Sequence, residues 1–177
     1  MLRIKIKMKS LYKVALGLSG IILLSLGCQR DDICSETTQT TSRLVLSFYD
    51  ADNVNVLKAP PNMNVKATDN DSLLFETINQ NNIAIPLKTD GNSTEYEFII
   101  NAEEEDDEPS VDINSDIVQF TYARSEEYIS RACSYKVVYS NLNAVLTSEP
   151  NSNWIKNIVI EESNIEDETT THISIYH

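Results

Sequence analysis

Glu95-Tyr96-Glu97-Phe98-Ile99-Ile100 and Val118-Gln119-Phe120-Thr121-Tyr122 decide how this chain folds. In both, large apolar side chains fall at every second residue. The intervening positions carry Glu95, Glu97, Gln119 and Thr121. A period of two places the apolar set on one face of an extended strand, whereas a helix would need spacings of three and four. The same alternation recurs in both directions along the chain. Leu44, Leu46 and Phe48 share one face, as do Ile83, Ile85 and Leu87, with Pro86 pointing the other way and marking an edge strand. Cys133, Tyr135, Val137 and Tyr139 form another such set, and Trp154–Glu161 and His172–Tyr176 supply the last strands. Seven or more strands separated by Asn, Asp and Pro clusters predict an all-β domain, an antiparallel immunoglobulin-like β-sandwich.

Residues 1–27 read differently. Arg3, Lys5, Lys7, Lys9 and Lys13 precede an apolar stretch from Val14 to Leu26. A basic segment before a short apolar one is the pattern of a secretory signal peptide. The stretch falls well short of the roughly 20 residues that a spanning helix requires. Ser25-Leu26-Gly27-Cys28 resembles the lipobox of bacterial lipoproteins, in which a small residue precedes the cysteine that is acylated and becomes the new N-terminus; Ser25 departs from the branched apolar residue usual at that place. The resemblance implies lipidation at Cys28 and an outer-membrane address in the cell envelope. Gln29-Arg30-Asp31-Asp32 resembles the short surface-export tag of Bacteroidetes lipoproteins. A solvated tether is the alternative, so surface-exposed and periplasm-facing placements both stay open. The organisation expected is a signal peptide over 1–27, a lipidated cysteine and flexible tether over 28–42, and one sandwich domain over 43–177.

Charge narrows the partners. The leader carries five of the 14 Lys and Arg residues and none of the 27 Asp and Glu, so removing it moves the net charge from −13 to −18. An acidic domain of this kind repels phosphate backbones, which argues against nucleic acid as a partner. The cysteines divide as well. With Cys28 assigned to lipid, Cys34 and Cys133 remain, an even pair in an oxidising compartment that is expected to form a disulfide; two buried free thiols are the alternative. The leader also takes three of the four glycines, leaving Gly91, while 17 asparagines lie between Asn53 and Asn164. Asparagine tolerates left-handed backbone and bonds to its own turn, so it is expected to fill the turns.

The opening Cys28, Asp31-Asp32-Ile33-Cys34 and Arg43-Leu44-Val45-Leu46-Ser47-Phe48-Tyr49-Asp50, together with Ser130-Arg131-Ala132-Cys133-Ser134-Tyr135 and Asn153-Trp154-Ile155, resembles an uncharacterised family of Bacteroidetes lipoproteins, a domain of unknown function. The resemblance implies no activity. It does imply an envelope partner, with an outer-membrane barrel among the candidates.

Chemical motifs are mostly excluded. One glycine after the leader leaves no phosphate-cradling loop, dinucleotide fingerprint or nucleophile elbow. The two histidines, His172 and His177, lie in the last six residues, and alternation with Ile173 and Ile175 predicts that His172 faces solvent. No zinc spacing occurs. Asp50, Asp52, Asp69 and Asp71 place oxygens at alternate positions, weak candidates for calcium, and Glu103–Glu108 is read as an acidic loop. No metal and no cofactor are expected, and Trp154 is read as core. The role expected is non-catalytic, a binding or assembly module for another envelope component. A small-ligand carrier with a β-barrel cavity and a carboxylate-dependent hydrolase are the competing classes.

Overall fold

A computed structural model describes residues 33–69, 72–102, 112–147 and 153–177. The leader, Cys28, Gln29–Asp32, Asp71 and the acidic run Glu103–Glu108 lie outside the described residues. Nine strands form among those described: β1 (Leu44–Tyr49), β2 (Met63–Ala67), β3 (Leu73–Ile78), β4 (Asn82–Ile85), β5 (Ser93–Ile100), β6 (Asn114–Ser130), β7 (Ser134–Thr147), β8 (Asn157–Ile160) and β9 (Ile173–Tyr176). The chain divides into two compact units. One comprises the N-terminal part through Thr38 with Ser130–Ser134, and the other Gln39–Ile129 with Tyr135–His177.

The strands make a four-stranded sheet, β4-β1-β9-β8, and a five-stranded sheet, β3-β2-β5-β6-β7. The β1–β4, β2–β3, β2–β5, β5–β6 and β8–β9 pairs are antiparallel, whereas β1 and β9 run parallel with Leu46 opposite Ile173 and Phe48 opposite Ile175. The expectation of a wholly antiparallel sandwich is corrected at that one pair. Parallel neighbours need a long crossover; here nearly the whole domain intervenes between them. Two separate sheets form rather than a closed barrel, which also corrects the barrel alternative.

One buried cluster fills the space between the sheets. Leu44, Leu46, Phe48, Ile83, Ile85, Ile173 and Ile175 come from one side, and Val65, Tyr96, Phe98, Val118, Phe120, Tyr122 and Tyr139 from the other. Each fully buried side chain of this size contributes about 1.5–3 kcal/mol. The alternation read from sequence is therefore the inward face of β1, β4, β5, β6 and β9; in β7 it holds at Tyr139 but not at Tyr135, which is exposed. In β6, burial alternates without a break from Asp116 to Tyr122.

The residues linking β4 to β5 cross from one sheet to the other, and tyrosines fix that crossing. Tyr96 Oη donates to the Pro86 carbonyl at 2.6 Å, Tyr139 Oη to that of Leu87 at 3.1 Å and Tyr122 Oη to that of Lys88 at 3.1 Å. Three successive carbonyls that leave the sheet thus find donors within the domain, as buried backbone requires. Burial pushes the Tyr96 and Tyr139 hydroxyls up to about 12, which keeps them protonated as donors. Pro86 itself stands one place beyond β4, and β4 is an edge strand as expected.

Several boundaries differ from expectation. Trp154 lies before β8 rather than in it; it is buried, and its Nε1 donates to the Phe98 carbonyl at 3.1 Å. Cys133 sits in the turn between β6 and β7, not on a strand. Asparagine does take left-handed positions, at Asn62, Asn101 and Asn141, alongside Thr77 and Ser134, whereas Gly91 does not.

Candidate functional site

The two cysteines beyond Cys28 meet. Cys34 and Cys133 form a disulfide with their Cα atoms 4.8 Å apart, across 99 residues of sequence. Both lie in the smaller unit. On one side, the Thr38 amide donates to the Ser35 carbonyl at 2.9 Å, and on the other the Cys133 amide donates to Ser130 Oγ at 3.0 Å. These local bonds shape the two turns that present the sulfurs to each other. A depression of about 290 Å³ opens beside the bridge, lined by Ile33, Ser130, Arg131 and Ala132 among others. As a disulfide, neither cysteine is a nucleophile.

A second depression, of about 230 Å³, lies on the connection between β8 and β9, lined by Glu162, Asn164, Glu166, Asp167, Thr170 and His172. His172 is buried, 1% exposed, which corrects the solvent-facing position expected for it. Alternation places it correctly on the face opposite Ile173 and Ile175. The 162–171 segment folds back over that face, however. Its Glu166 carbonyl accepts from Ser42 Oγ at 2.8 Å and Gln39 Nε2 at 2.6 Å, Glu168 takes a bidentate contact from Arg43, and Thr171 Oγ1 meets Ser47 Oγ at 2.7 Å. Beneath it Val45, Ser47 and Ser174 are buried along with His172.

His172 is held at both its backbone and its ring. Its amide donates to the Val45 carbonyl at 3.0 Å, and its Nδ1 accepts from the Val45 amide at 3.0 Å. An accepting Nδ1 leaves the proton of the neutral ring on Nε2. Burial lowers the imidazole's pKa, opposed by the carboxylates of Asp167, Glu162 and Glu168. In a catalytic triad Nδ1 is the nitrogen that a carboxylate orients; here a main-chain amide occupies it. The neighbouring acids are also engaged. Glu162 Oε1 accepts from the Asn164 amide, and Asp167 Oδ1 from the amide and hydroxyl of Thr169. These carboxylates order their own loop.

The calcium candidates do not converge among the described residues. Asp50 Oδ1 accepts from the Asp52 amide at 2.9 Å and lies 3.8 Å from Lys58 Nζ; Asp69 pairs with Lys88 at 2.7 Å. The Asp52 amide holds the Asp50 carboxyl below its ordinary range, and Lys88 does the same for Asp69. Among the described residues no three His, Cys, Asp or Glu side chains are placed to hold a metal ion.

One surface escaped the sequence reading. Pairing of β5 with β6 ends at Ser93 opposite Thr121, yet β6 continues to Ser130. Residues 123–128 are exposed, and Tyr128 packs edge-on against Tyr135 of β7 at 5.3 Å with both rings more than half exposed. On the far side of β7 the edge is covered in part, since Ile165 bridges Tyr139, the Leu142 amide donates to the Ser163 carbonyl and the Val137 amide to Thr41 Oγ1. At the start of this arm the Tyr122 amide donates to the Asn92 carbonyl at 3.0 Å and the Arg124 guanidinium to Asn92 Oδ1 and the Thr89 carbonyl; beyond them, among the described residues, no strand pairs with β6 on its β5 side. The polar run Arg124-Ser125-Glu126-Glu127 gave no apolar alternation from which that length could be read.

No curated protein and no solved structure matches the chain. A family model does, over residues 62–177; the match begins just before β2 and leaves out β1, although β1 sits between β4 and β9. Since the match spans more than half of the sequence, the chain belongs to the family of unknown function DUF6452.

Proposed function

We propose that this chain is an envelope lipoprotein, acylated at Cys28 and carried on the outer membrane, whose immunoglobulin-like sandwich is a non-catalytic binding or assembly module for another envelope component. The observation that carries the reading is the disulfide. Cys34 and Cys133 take each other, and of three cysteines this leaves Cys28, placed where the apolar leader ends. A structural disulfide also fits an exported chain. The non-catalytic part draws support from the engagement of His172 Nδ1 and of the surrounding carboxylates within the fold. A partner strand could add to the arm of β6 over residues 125–128, where main-chain groups supply affinity. An outer-membrane barrel is the first partner to test.

The test is metabolic labelling with a fatty-acid analogue in a Bacteroidetes host, followed by fractionation. The wild-type chain is expected to carry label and to sediment with outer membrane, and Cys28→Ala to lose both. An unlabelled, soluble wild type overturns the reading. Protease treatment of intact cells then separates surface display by Gln29–Asp32 from a periplasm-facing anchor.

A further inference from the structure

We infer that the disulfide-closed turn between β6 and β7 is a membrane-docking end, seated on the phospholipid headgroups through Ile33, Arg131 and Ala132. The inference rests on the lipid anchor proposed at Cys28. From Cys28 to Cys34 the backbone spans six residues, at most about 20–22 Å when fully extended. The bridge then places the Cα of Cys133 only 4.8 Å from that of Cys34. The turn is therefore leashed within a span smaller than one bilayer thickness of about 40–45 Å. Without the bridge, the leash would run to Gln39, where the larger unit begins, and its maximum length would rise to about 36–40 Å.

The chemistry of this end suits a headgroup layer. Ile33 is 86% exposed, an apolar side chain standing in solvent next to the bridge. Arg131 is exposed in the turn. Its guanidinium is planar and binds phosphate through paired donors. Within residues 29–38 and 130–134, Arg30 and Arg131 stand against Asp31, Asp32 and Glu36, a net charge of −1 of the −18 left once the leader is removed, so this end carries little of the charge that repels anionic lipid. The depression of about 290 Å³ between Ile33 and Arg131 gives a headgroup somewhere to sit.

The test uses the full acylated protein in phospholipid vesicles doped with a lipid bearing a photoreactive headgroup, with adducts mapped by mass spectrometry. Adducts are expected on the peptides holding Ile33 and Arg131–Ala132. Arg131→Glu, which keeps the bridge, is expected to lower their yield at least threefold while the protein still floats with the vesicles. Cys34→Ser with Cys133→Ser is expected to float equally and to scatter the adducts. Flotation with adducts spread over the sandwich in the wild type, or an Arg131→Glu yield equal to wild type, overturns the inference alone. Failure of the wild type to float or to carry acyl mass overturns the lipid-anchor reading beneath it.

Discussion

His172 and Asp116 carry the most physical information per side chain. Because burial lowers its pKa, His172 stays neutral in the fold where an unfolded histidine, near 6.5, takes up a proton. The unfolded state then binds more protons, so stability falls as pH drops below about 6.5 and continues to fall down to the folded pKa. His177, also lowered by burial, adds to the slope in the same direction. We expect the urea midpoint to decline between pH 7.5 and 5.5. His172→Asn, whose Oδ1 can accept from the Val45 amide, should reduce that decline without abolishing it; an unchanged slope would remove His172 from the account. Asp116 is buried on the inward face of β6, and its Oδ2 accepts from the Ile155 amide at 2.7 Å. Burial raises its pKa, against the Ile155 and Trp154 amides that favour the anion. Asp116→Ala leaves the Ile155 amide without its acceptor and should cost about 1–3 kcal/mol in chemical denaturation, with Asp116→Asn, which retains an oxygen, losing less. Neither role was legible beforehand. Asp116 lies in phase with Val118 and Phe120, so its face could be read, but its amide partner is 39 residues away.

Strands were legible where apolar residues alternate, β1 included; what was illegible is the covering of a second face. The inward faces of β5, β6 and β9 follow the alternation directly. In β1, Val45 and Ser47 are buried as well as Leu44, Leu46 and Phe48, because β1 is central in its sheet and the 162–171 segment covers its outer face. That segment is polar, and nothing in its composition says that it packs back on a sheet; the same gap placed His172 in solvent. The tyrosines over the β4–β5 crossing are a parallel case. Period two puts Tyr96, Tyr122 and Tyr139 in the core, yet what distinguishes them from phenylalanine is the run of carbonyls at Pro86, Leu87 and Lys88. Tyr96→Phe should preserve the fold and destabilise it by about 0.5–1.5 kcal/mol, the net contribution of one hydrogen bond, or more where the Pro86 carbonyl stays dry. Equal urea midpoints for the two proteins would mean that water replaces the hydroxyl at no cost.

Topology explains why the bridge matters to the domain at large. The sheet that holds β1 is completed only when β9, from the other end of the chain, arrives beside it in parallel. Contacts of such high sequence separation close loops late and at an entropic cost. A bridge from Cys34 to Cys133 shortens the search by removing open conformations from the unfolded chain, and in the chain-entropy account a loop near 100 residues is worth up to about 4.7 kcal/mol. Parity of the cysteines made the pair readable from sequence; the turn that receives it was not readable, because Cys133 is in phase with Tyr135 and Val137 and so reads as strand. The two effects of breaking the bridge separate in one measurement. Urea unfolding of the chain from residue 29 onward, with and without reductant, should show a loss of about 2–4 kcal/mol, together with a steeper denaturant dependence as the reduced unfolded chain exposes more surface. A stability loss of that size with unchanged near-ultraviolet signals before unfolding would place the effect in the unfolded state. A loss accompanied by altered native signals would instead mean that the bridge shapes the fold around β6 and β7, and that its contribution is to the native structure.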